Sequence, residues 1–179
     1  MIASRPDLEK LVAANLIVRD DAEPIAVDHV SIGLHLDSEL VTYAASAVKV
    51  IPPATLPTTS RVLTIGEPFD FGPGAKLLAC SVEFIRMPLD HMGFIQTKGS
   101  LARGFVMAHM CDGQIDPGFN GKVTFELINL SDLSYQLVYG MPIAQLFIFR
   151  LTTPLPAGYD GRYQGASRPT AMKDPASRK

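Results

Sequence analysis

Hydrophobic and polar residues alternate over short stretches from residue 28 onward, which is typical of β-strands with one buried face. Residues 30–36, 76–85 and 135–139 show this pattern, and Pro, Gly and Asp separate the stretches. They recur at intervals of roughly 8 to 15 residues, with turn residues between them. The sequence therefore predicts a mainly β fold, a sandwich, jelly roll or distorted barrel rather than a parallel sheet.

The two ends of the chain depart from this pattern. Near the N-terminus, Leu8, Leu11, Val12 and Leu16 follow a possible cap at Ser4 with helical spacing, so a short helix is expected. Residues 51–60 are rich in Pro and predict a loop or insertion. Residues 152–179 are rich in Gly, Pro, Ser, Lys and Arg and have no core of their own, which predicts a mobile tail that frays or docks elsewhere.

Residues 115–129 combine a turn with a strand. Residues 116–119 read Asp-Pro-Gly-Phe, a sequence that suits a type II turn because Pro presets φ and Gly accepts a positive φ. Beyond the turn, one face of the strand is apolar and carries Val123, Phe125 and Leu127. The opposite face carries Lys122, Thr124 and Glu126. With Asp116 on the turn and Glu126 on the strand, this hairpin is the predicted active-site element.

The composition narrows the possible functions. A chain of 179 residues, 47% hydrophobic and 19% charged, suits one domain over residues 1–179. A net charge of −2 argues against bulk nucleic-acid binding. Two cysteines are too few for a disulfide framework, no leader pattern opens the chain, and no apolar run is long enough to span a membrane. We therefore expect a cytoplasmic protein that binds neither nucleic acid nor membrane.

Residues 98–104 place two cations and a hydroxyl beside glycine. Lys98, Ser100 and Arg103 are suited to approaching phosphate oxygens from a loop and a helix start. Apolar residues flank the segment, which predicts that it is anchored to the sheet. Taken alone, the same spacing also fits an ordinary solvated surface.

Several blocks stand in one order along the chain, and together they resemble a known family. The blocks are Ser31-Ile-Gly-Leu-His-Leu36, Lys98-Gly-Ser-Leu-Ala-Arg103, His109, Ile115-Asp-Pro-Gly-Phe-Asn-Gly121, Thr124-Phe-Glu-Leu127, Gly140-Met-Pro-Ile-Ala-Gln145 and Tyr159-Asp-Gly-Arg-Tyr-Gln-Gly165. In this order they resemble the dCTP deaminases of the trimeric dUTPase-like superfamily over nearly the whole chain. The resemblance implies a dUTPase-like distorted β-barrel or jelly roll with a short N-terminal helix, an extended C-terminal tail and a homotrimeric assembly.

The resemblance also implies an activity, namely hydrolytic deamination of dCTP to dUTP without zinc, which supplies dUMP and dTTP synthesis. Some members of the family also cleave the triphosphate to dUMP and pyrophosphate. One carboxylate can act as base and then as acid in deamination, and Glu126 matches the catalytic glutamate. The sequence lacks the His-X-Glu and Pro-Cys-X-X-Cys signature of zinc deaminases. Mg²⁺ would arrive on the nucleotide phosphates.

Further site residues follow from the resemblance. Arg103 matches the arginine beside the attacking water, and Asp116 matches the aspartate at the deoxyribose 3′-hydroxyl. Phosphate, base and tail contacts are expected elsewhere in the matched blocks. Together with Glu126, Arg103 and Asp116, the predicted substrate-binding set comprises Lys98, Gly99, Ser100, Leu101, Ala102, Asp112, Thr124, Phe125, Gln145, Tyr159, Arg162 and Gln164.

Three positions depart from the family pattern. Gly99 replaces a serine that lies near the water and the glutamate, Asp112 replaces an alanine on the pyrimidine edge, and Ala166 replaces a tail glutamine. Asp112 is open to three interpretations, since it can accept from the exocyclic amine, repel a phosphate or face away. Two alternatives to the dCTP deaminase therefore stand. One is a nucleotide-binding or regulatory protein with altered catalysis, and the other is a deaminase of a modified or less phosphorylated cytosine nucleotide.

Overall fold

The computed structural model describes residues 1–21, 23–44 and 49–174, and strands dominate it. The two helices and twelve strands of these residues run in this order: α1 Arg5–Ala13, β1 Ile17–Val18, β2 Ile32–His35, β3 Glu39–Tyr43, β4 Thr58–Val62, β5 Phe69–Phe71, β6 Lys76–Arg86, β7 His91–Thr97, α2 Gly99–Arg103, β8 Val106–Met107, β9 Gln114–Ile115, β10 Asn120–Asn129, β11 Tyr135–Leu137 and β12 Pro142–Arg150.

The described strands form three sheets, and every pairing in them is antiparallel. The largest sheet has the order β4-β3-β6-β10-β8, with β1 also paired to β6. A second sheet has the order β2-β12-β7-β9, and β11 pairs with β5. One hydrophobic core takes Phe125 from the first sheet and Ile95 and Leu146 from the second. The predicted mainly β fold, a distorted barrel or jelly roll, is confirmed.

Local sequence signals placed several elements correctly. Strands β2, β6 and β11 lie where the alternation predicts them. The N-terminal helix begins after Ser4, whose hydroxyl donates to Asp7 over 2.9 Å. It ends at Ala13, before the predicted Leu16, because Asn15 adopts a φ of 60° and turns the chain out of the helix.

The predicted Pro-rich loop is shorter than expected, because residues 58–60 belong to strand β4. All five side chains of β4 are exposed, so this strand has no apolar face and its sequence shows no alternation. Backbone pairing holds it against β3, from Glu39 opposite Val62 to Tyr43 opposite Thr58. A strand without a buried face leaves little signal in the sequence.

A buried network of charges ties β1, β2 and β6 together. Glu83 is fully buried, and its carboxylate accepts from Arg19 over 3.0 Å and from His35 Nδ1 over 2.6 Å. The backbone N–H of His35 donates to the other carboxylate oxygen over 2.9 Å. Arg19 also grips Asp21 with two hydrogen bonds, of 2.9 and 2.6 Å, which hold the pKa of Asp21 well below its usual range. Every charge in this network therefore has a partner of opposite sign.

The described part of the tail, residues 152–174, lies against the body of the protein. The N–H of Tyr159 donates to the carbonyl of Pro117 over 2.8 Å, and the N–H of Lys122 donates to Ala166 over 2.6 Å. Gly118 and Gly158 touch where the tail crosses the predicted turn, and a Cβ on Gly158 would lie only 2.7 Å from the Cα of Gly118. The mobility of the tail stays a prediction.

Candidate active site

A cavity of about 380 Å³ lies between strand β10, the predicted turn and the tail. Five of the predicted site residues line it, namely Asp112, Asp116, Thr124, Glu126 and Tyr159. Other lining residues include Tyr43, Ile95, Gln114, Lys122, Tyr163, Ala166, Thr170 and Met172. The cavity therefore brings the two carboxylates of the predicted hairpin into one site.

The hairpin has the predicted geometry. The N–H of Phe119 donates to the carbonyl of Asp116 over 3.1 Å, and Gly118 has a φ of 83°, as a type II turn requires. Along β10, buried and partly exposed side chains alternate without interruption. Phe125 therefore points into the core and is fully buried, whereas Thr124 and Glu126 face the cavity. Only the backbone of Phe125 is left to contact a ligand from this side of the strand.

Glu126 is partly buried and has no cationic partner among the described residues. Its carboxylate accepts one hydrogen bond, from the N–H of Met110 over 3.2 Å. Burial raises the pKa of Glu126, and the nearby negative charge of Asp112 raises it further. A carboxylate with a raised pKa takes up a proton more readily than an ordinary glutamate, as a group that accepts and then returns a proton requires.

The loop that carries Asp112 is fixed at both ends. Met110 bonds to Glu126, and the carbonyl of Gly113 accepts from the N–H of Ile95 over 2.6 Å. Between them, Cys111 adopts a φ of 68°, which is uncommon for a residue with a side chain. Asp112 is exposed on the cavity wall, and its carboxylate makes no hydrogen bond or ion pair with the described residues. The two bonds therefore fix the backbone of Asp112, while its carboxylate is left to interact with a ligand in the cavity.

Lys122 is a cavity residue that the sequence interpretation did not assign to the site. Its Nζ lies 2.5 Å from Asp37 Oδ2, and both side chains are largely buried. Burial opposes the charge of Lys122, but the hydrogen bond and the charge of Asp37 outweigh it and raise the pKa of Lys122. Alternation along β10 placed Lys122 on the same face as Glu126, but no local pattern pointed to a partner 85 residues away.

The segment with the predicted phosphate-binding cations does not line this cavity. Residues Gly99–Arg103 form the short helix α2. Among the described residues, the guanidinium of Arg103 bonds only to the carbonyl of Gly99, over 3.3 Å, within that helix. The side chains of Lys98 and Ser100 make no hydrogen bond or ion pair within the described parts of the chain. Within one chain, therefore, helix α2, which also carries Leu101 and Ala102, does not line the cavity that Glu126 lines.

Three other predicted contacts bond to the chain itself. Gln145 donates to Ser31 over 3.1 Å, and Arg162 donates to the carbonyl of Lys173 over 2.8 Å. Gln164 joins the tail to the turn, because it accepts from the N–H of Asn120 over 2.8 Å and donates to the carbonyl of Gly118 over 2.9 Å. The predicted roles of these side chains toward a nucleotide stay predictions.

The described residues show neither a membrane-spanning helix nor a cluster of metal ligands. No helix of the described residues has the length and apolar character to cross a membrane. Within residues 1–21, 23–44 and 49–174, no three His, Cys, Asp or Glu side chains come together in the way that holds a metal ion. Zinc independence itself stays a prediction.

Comparisons with known proteins agree on one family. The family model described as dCTP deaminase-like matches residues 2–151. The dUMP-forming dCTP deaminase of Acidothermus cellulolyticus is 36% identical over 97% of this chain and 95% of its own length. The protein with the same description from Salinispora arenicola is 35% identical over 97% of this chain and 94% of its own.

Solved structures resemble the fold. The 2′-deoxycytidine 5′-triphosphate deaminase of Agrobacterium tumefaciens superposes with a TM-score of 0.67 at 17% identity, over 82% of this chain and 47% of that chain. A dUTPase variant from Staphylococcus bacteriophage 80alpha gives a TM-score of 0.51 at 13% identity, over 81% of this chain and 95% of that chain. These two structures support the dUTPase-like fold.

Proposed function

Because the chain belongs to the dCTP deaminase-like family, we propose that it is a hydrolase that deaminates dCTP to dUTP with release of ammonia. The observation that carries this proposal is the position of Glu126. Its carboxylate faces a nucleotide-sized cavity, and burial raises its pKa. The similarity to dCTP deaminases over nearly the full length of both chains supports the choice of substrate.

Glu126 supplies the proton transfers of the proposed reaction. Its carboxylate takes a proton from water as the oxygen attacks C4 of cytosine, and the proton passes to N3. Glu126 then takes the remaining proton from the hydroxyl on C4 and passes it to the amine as the C4–N4 bond breaks and the C4 carbonyl forms, so that water and dCTP become dUTP and ammonia. Because Glu126 must begin ionised, the activity rises with pH through its pKa. Asp116 lines the same cavity. In the proposed reaction its carboxylate accepts from the 3′-hydroxyl of the sugar.

The active assembly that we propose is a homotrimer in which α2 of one copy completes the cavity of another. Lys98, Ser100 and Arg103 lie outside the cavity of their own chain and have no partner side chain in its described residues. Beside Glu126 runs an apolar groove of about 330 Å³, which supplies a surface for the neighbour. Its apolar lining includes Val41, Leu77, Leu78, Met110, Leu127 and Ile128.

The triphosphate of the nucleotide brings negative charge and a bound Mg²⁺ into this site. In the trimer Arg103 braces the attacking water, while Lys98 and Ser100 bind the phosphates, with Mg²⁺ held on the phosphate oxygens. Tyr159 reaches the nucleotide from the tail, whose Arg162 and Gln164 close over the triphosphate. The reaction uses no zinc, and the protein acts in the cytoplasm on free deoxycytidine nucleotide.

A second product is the other candidate. The two relatives described above are both described as dUMP-forming, so the same cavity is a candidate for cleaving the triphosphate after deamination. The second step would add one water and release pyrophosphate together with dUMP. The two candidates share the deamination step and differ only in the fate of dUTP.

Incubation of the purified protein with dCTP and Mg²⁺ tests both candidates, with dCMP and dUTP as further substrates. Ammonia together with dUTP supports the first candidate, and ammonia with equal amounts of dUMP and pyrophosphate supports the second. Ammonia from dCMP alone would move the activity to a less phosphorylated substrate. If no cytosine nucleotide yields ammonia while dCTP still raises the melting temperature, the chain is a nucleotide-binding protein and both candidates are wrong.

A further inference from the structure

Asp112 stands out among the charges of the cavity wall. Its carboxylate lines the same cavity as Glu126, yet it makes no hydrogen bond or ion pair with the described residues. The cation of this cavity, Lys122, is already held by Asp37 at 2.5 Å. Asp112 is therefore an acceptor without a donor, placed beside the group that transfers protons.

The loop geometry keeps Asp112 at this place. Met110 is bonded to Glu126 on one side, and Gly113 is bonded to Ile95 on the other. A Cβ on Gly113 would lie 2.7 Å from the carbonyl oxygen of Ile95, so the chain runs too close to β7 for the loop to shift inward. Asp112 and Glu126 therefore line one cavity, and they lie near enough for the charge of Asp112 to raise the pKa of Glu126.

Of the groups on a pyrimidine nucleotide, the exocyclic amine suits this carboxylate best. The amine at C4 of cytosine offers N–H donors, and its carbon is the atom that Glu126 serves in the proposed reaction. Uracil and thymine carry a carbonyl oxygen at the same place, which would set an acceptor against an anion. A phosphate at this position would bring two anions together.

We propose that Asp112 is a specificity-determining residue that accepts a hydrogen bond from the C4 amine and thereby selects aminopyrimidine over oxopyrimidine nucleotides. This inference rests on the proposed deaminase function and deepens it. It also bears on the product, because deamination turns the amine into a carbonyl that Asp112 repels. The uracil nucleotide is then released, and dUTP rather than dUMP is the main product.

Binding measurements in a Glu126→Gln background test the inference without turnover of the amine. Affinities for dCTP, dTTP and an α,β-imido analogue of dUTP are measured by calorimetry, with Asp112 intact and with Asp112→Asn. The Asn side chain keeps the shape but can present either its N–H₂ or its oxygen to the ligand. We expect the preference for dCTP over both oxopyrimidine nucleotides to fall about tenfold or more.

Asp116→Asn in the same background is the matched control. It removes a second cavity carboxylate, but one proposed to contact the sugar, which all three nucleotides share. Asp116→Asn should therefore weaken the three nucleotides together and leave their ratio unchanged. Melting temperatures without nucleotide show that each variant is folded.

The outcomes separate this inference from the proposed function. If the wild-type protein releases ammonia from dCTP but Asp112→Asn leaves the binding ratio unchanged, the inference is overturned and the proposed function stands. If the wild-type protein releases no ammonia from dCTP, the proposed function fails and the inference falls with it. A larger share of dUMP from Asp112→Asn in the presence of Glu126 would be a second supporting result.

Discussion

Among the described residues, charged side chains are paired in one region of the molecule and unpaired in another. In the network around Glu83, Arg19, His35 and Asp21 all lie within hydrogen-bond distance of a partner. Asp112 on the cavity wall and Lys98 just before α2 have no partner side chain in the described residues. Buried charges must be matched when the chain folds, because an unmatched one costs several kcal/mol. Charges that the fold leaves unmatched at a cavity are available to a ligand or to a second copy of the chain.

The contrast is clearest between two glutamates on the paired strands β6 and β10. Glu83 is fully buried, and its carboxylate lies 3.0 Å from the guanidinium of Arg19 and 2.6 Å from Nδ1 of His35. Glu126 is partly buried without a cation in the described chain, and its pKa rises. The fold gives Glu83 a cationic partner and leaves Glu126 without one among the described residues. Substitutions can test whether Glu83 serves stability and Glu126 serves catalysis.

Glu126→Gln should have the largest effect. Removing the proposed acid and base is expected to lower the rate of ammonia release from dCTP by about 10²- to 10⁴-fold. Stability should not fall, because burial disfavours the charge of Glu126 in the folded protein. A coupled ammonia assay and thermal unfolding measure the two quantities. Activity above a tenth of the wild-type rate would show that another group performs the proton transfers.

Glu83→Gln should have the opposite result. Arg19 would keep its two bonds to Asp21 but lose the charge of Glu83 in a buried place, which is expected to cost about 1 to 3 kcal/mol in the free energy of unfolding. Urea unfolding measures this change. Glu67→Gln is the matched control, because Glu67 is exposed and a surface change is usually within about 0.5 kcal/mol. A loss below about 1 kcal/mol for Glu83→Gln would show that the network contributes little.

Gly99→Ser should raise the activity. Restoring the hydroxyl that the family pattern has at this position is expected to increase the deamination rate about tenfold. A Cβ at position 99 would meet only Arg103 Nη1, at 3.2 Å, and that flexible side chain can move. Gly99→Ala separates the hydroxyl from the added carbon, so an equal gain from alanine would contradict the explanation.

Asp112→Asn should have the smallest effect of these changes on the rate at its optimum but should shift the pH dependence. Glu126 must be ionised to accept a proton from water, so kcat/KM rises with pH through its pKa. The negative charge of Asp112 adds to the burial that raises this pKa. Removing the charge should therefore move the acidic limb of the profile to lower pH. An unchanged limb would mean that burial alone sets the pKa of Glu126.

Short-range features of the site could be predicted from the sequence, and long-range ones could not. The turn at Asp116 and the alternation that exposes Glu126 depend on neighbouring residues, and both are confirmed. Lys122 and Asp37 lie 85 residues apart in the chain, and no periodicity in the sequence predicts their pairing. The separation of Arg103 from the cavity of its own chain likewise depends on how whole strands are arranged.

The contact of Gly118 with Gly158 offers an engineering handle on the tail. At this point two backbones touch without side chains, so the separation of the turn from the tail depends on the absence of a single carbon atom. Gly158→Ala would push the tail away from the turn without replacing any side chain that lines the cavity. Faster cleavage of the tail by a protease would report the opening. Activity measurements on this variant would then show how much of the reaction depends on the tail lying against the turn.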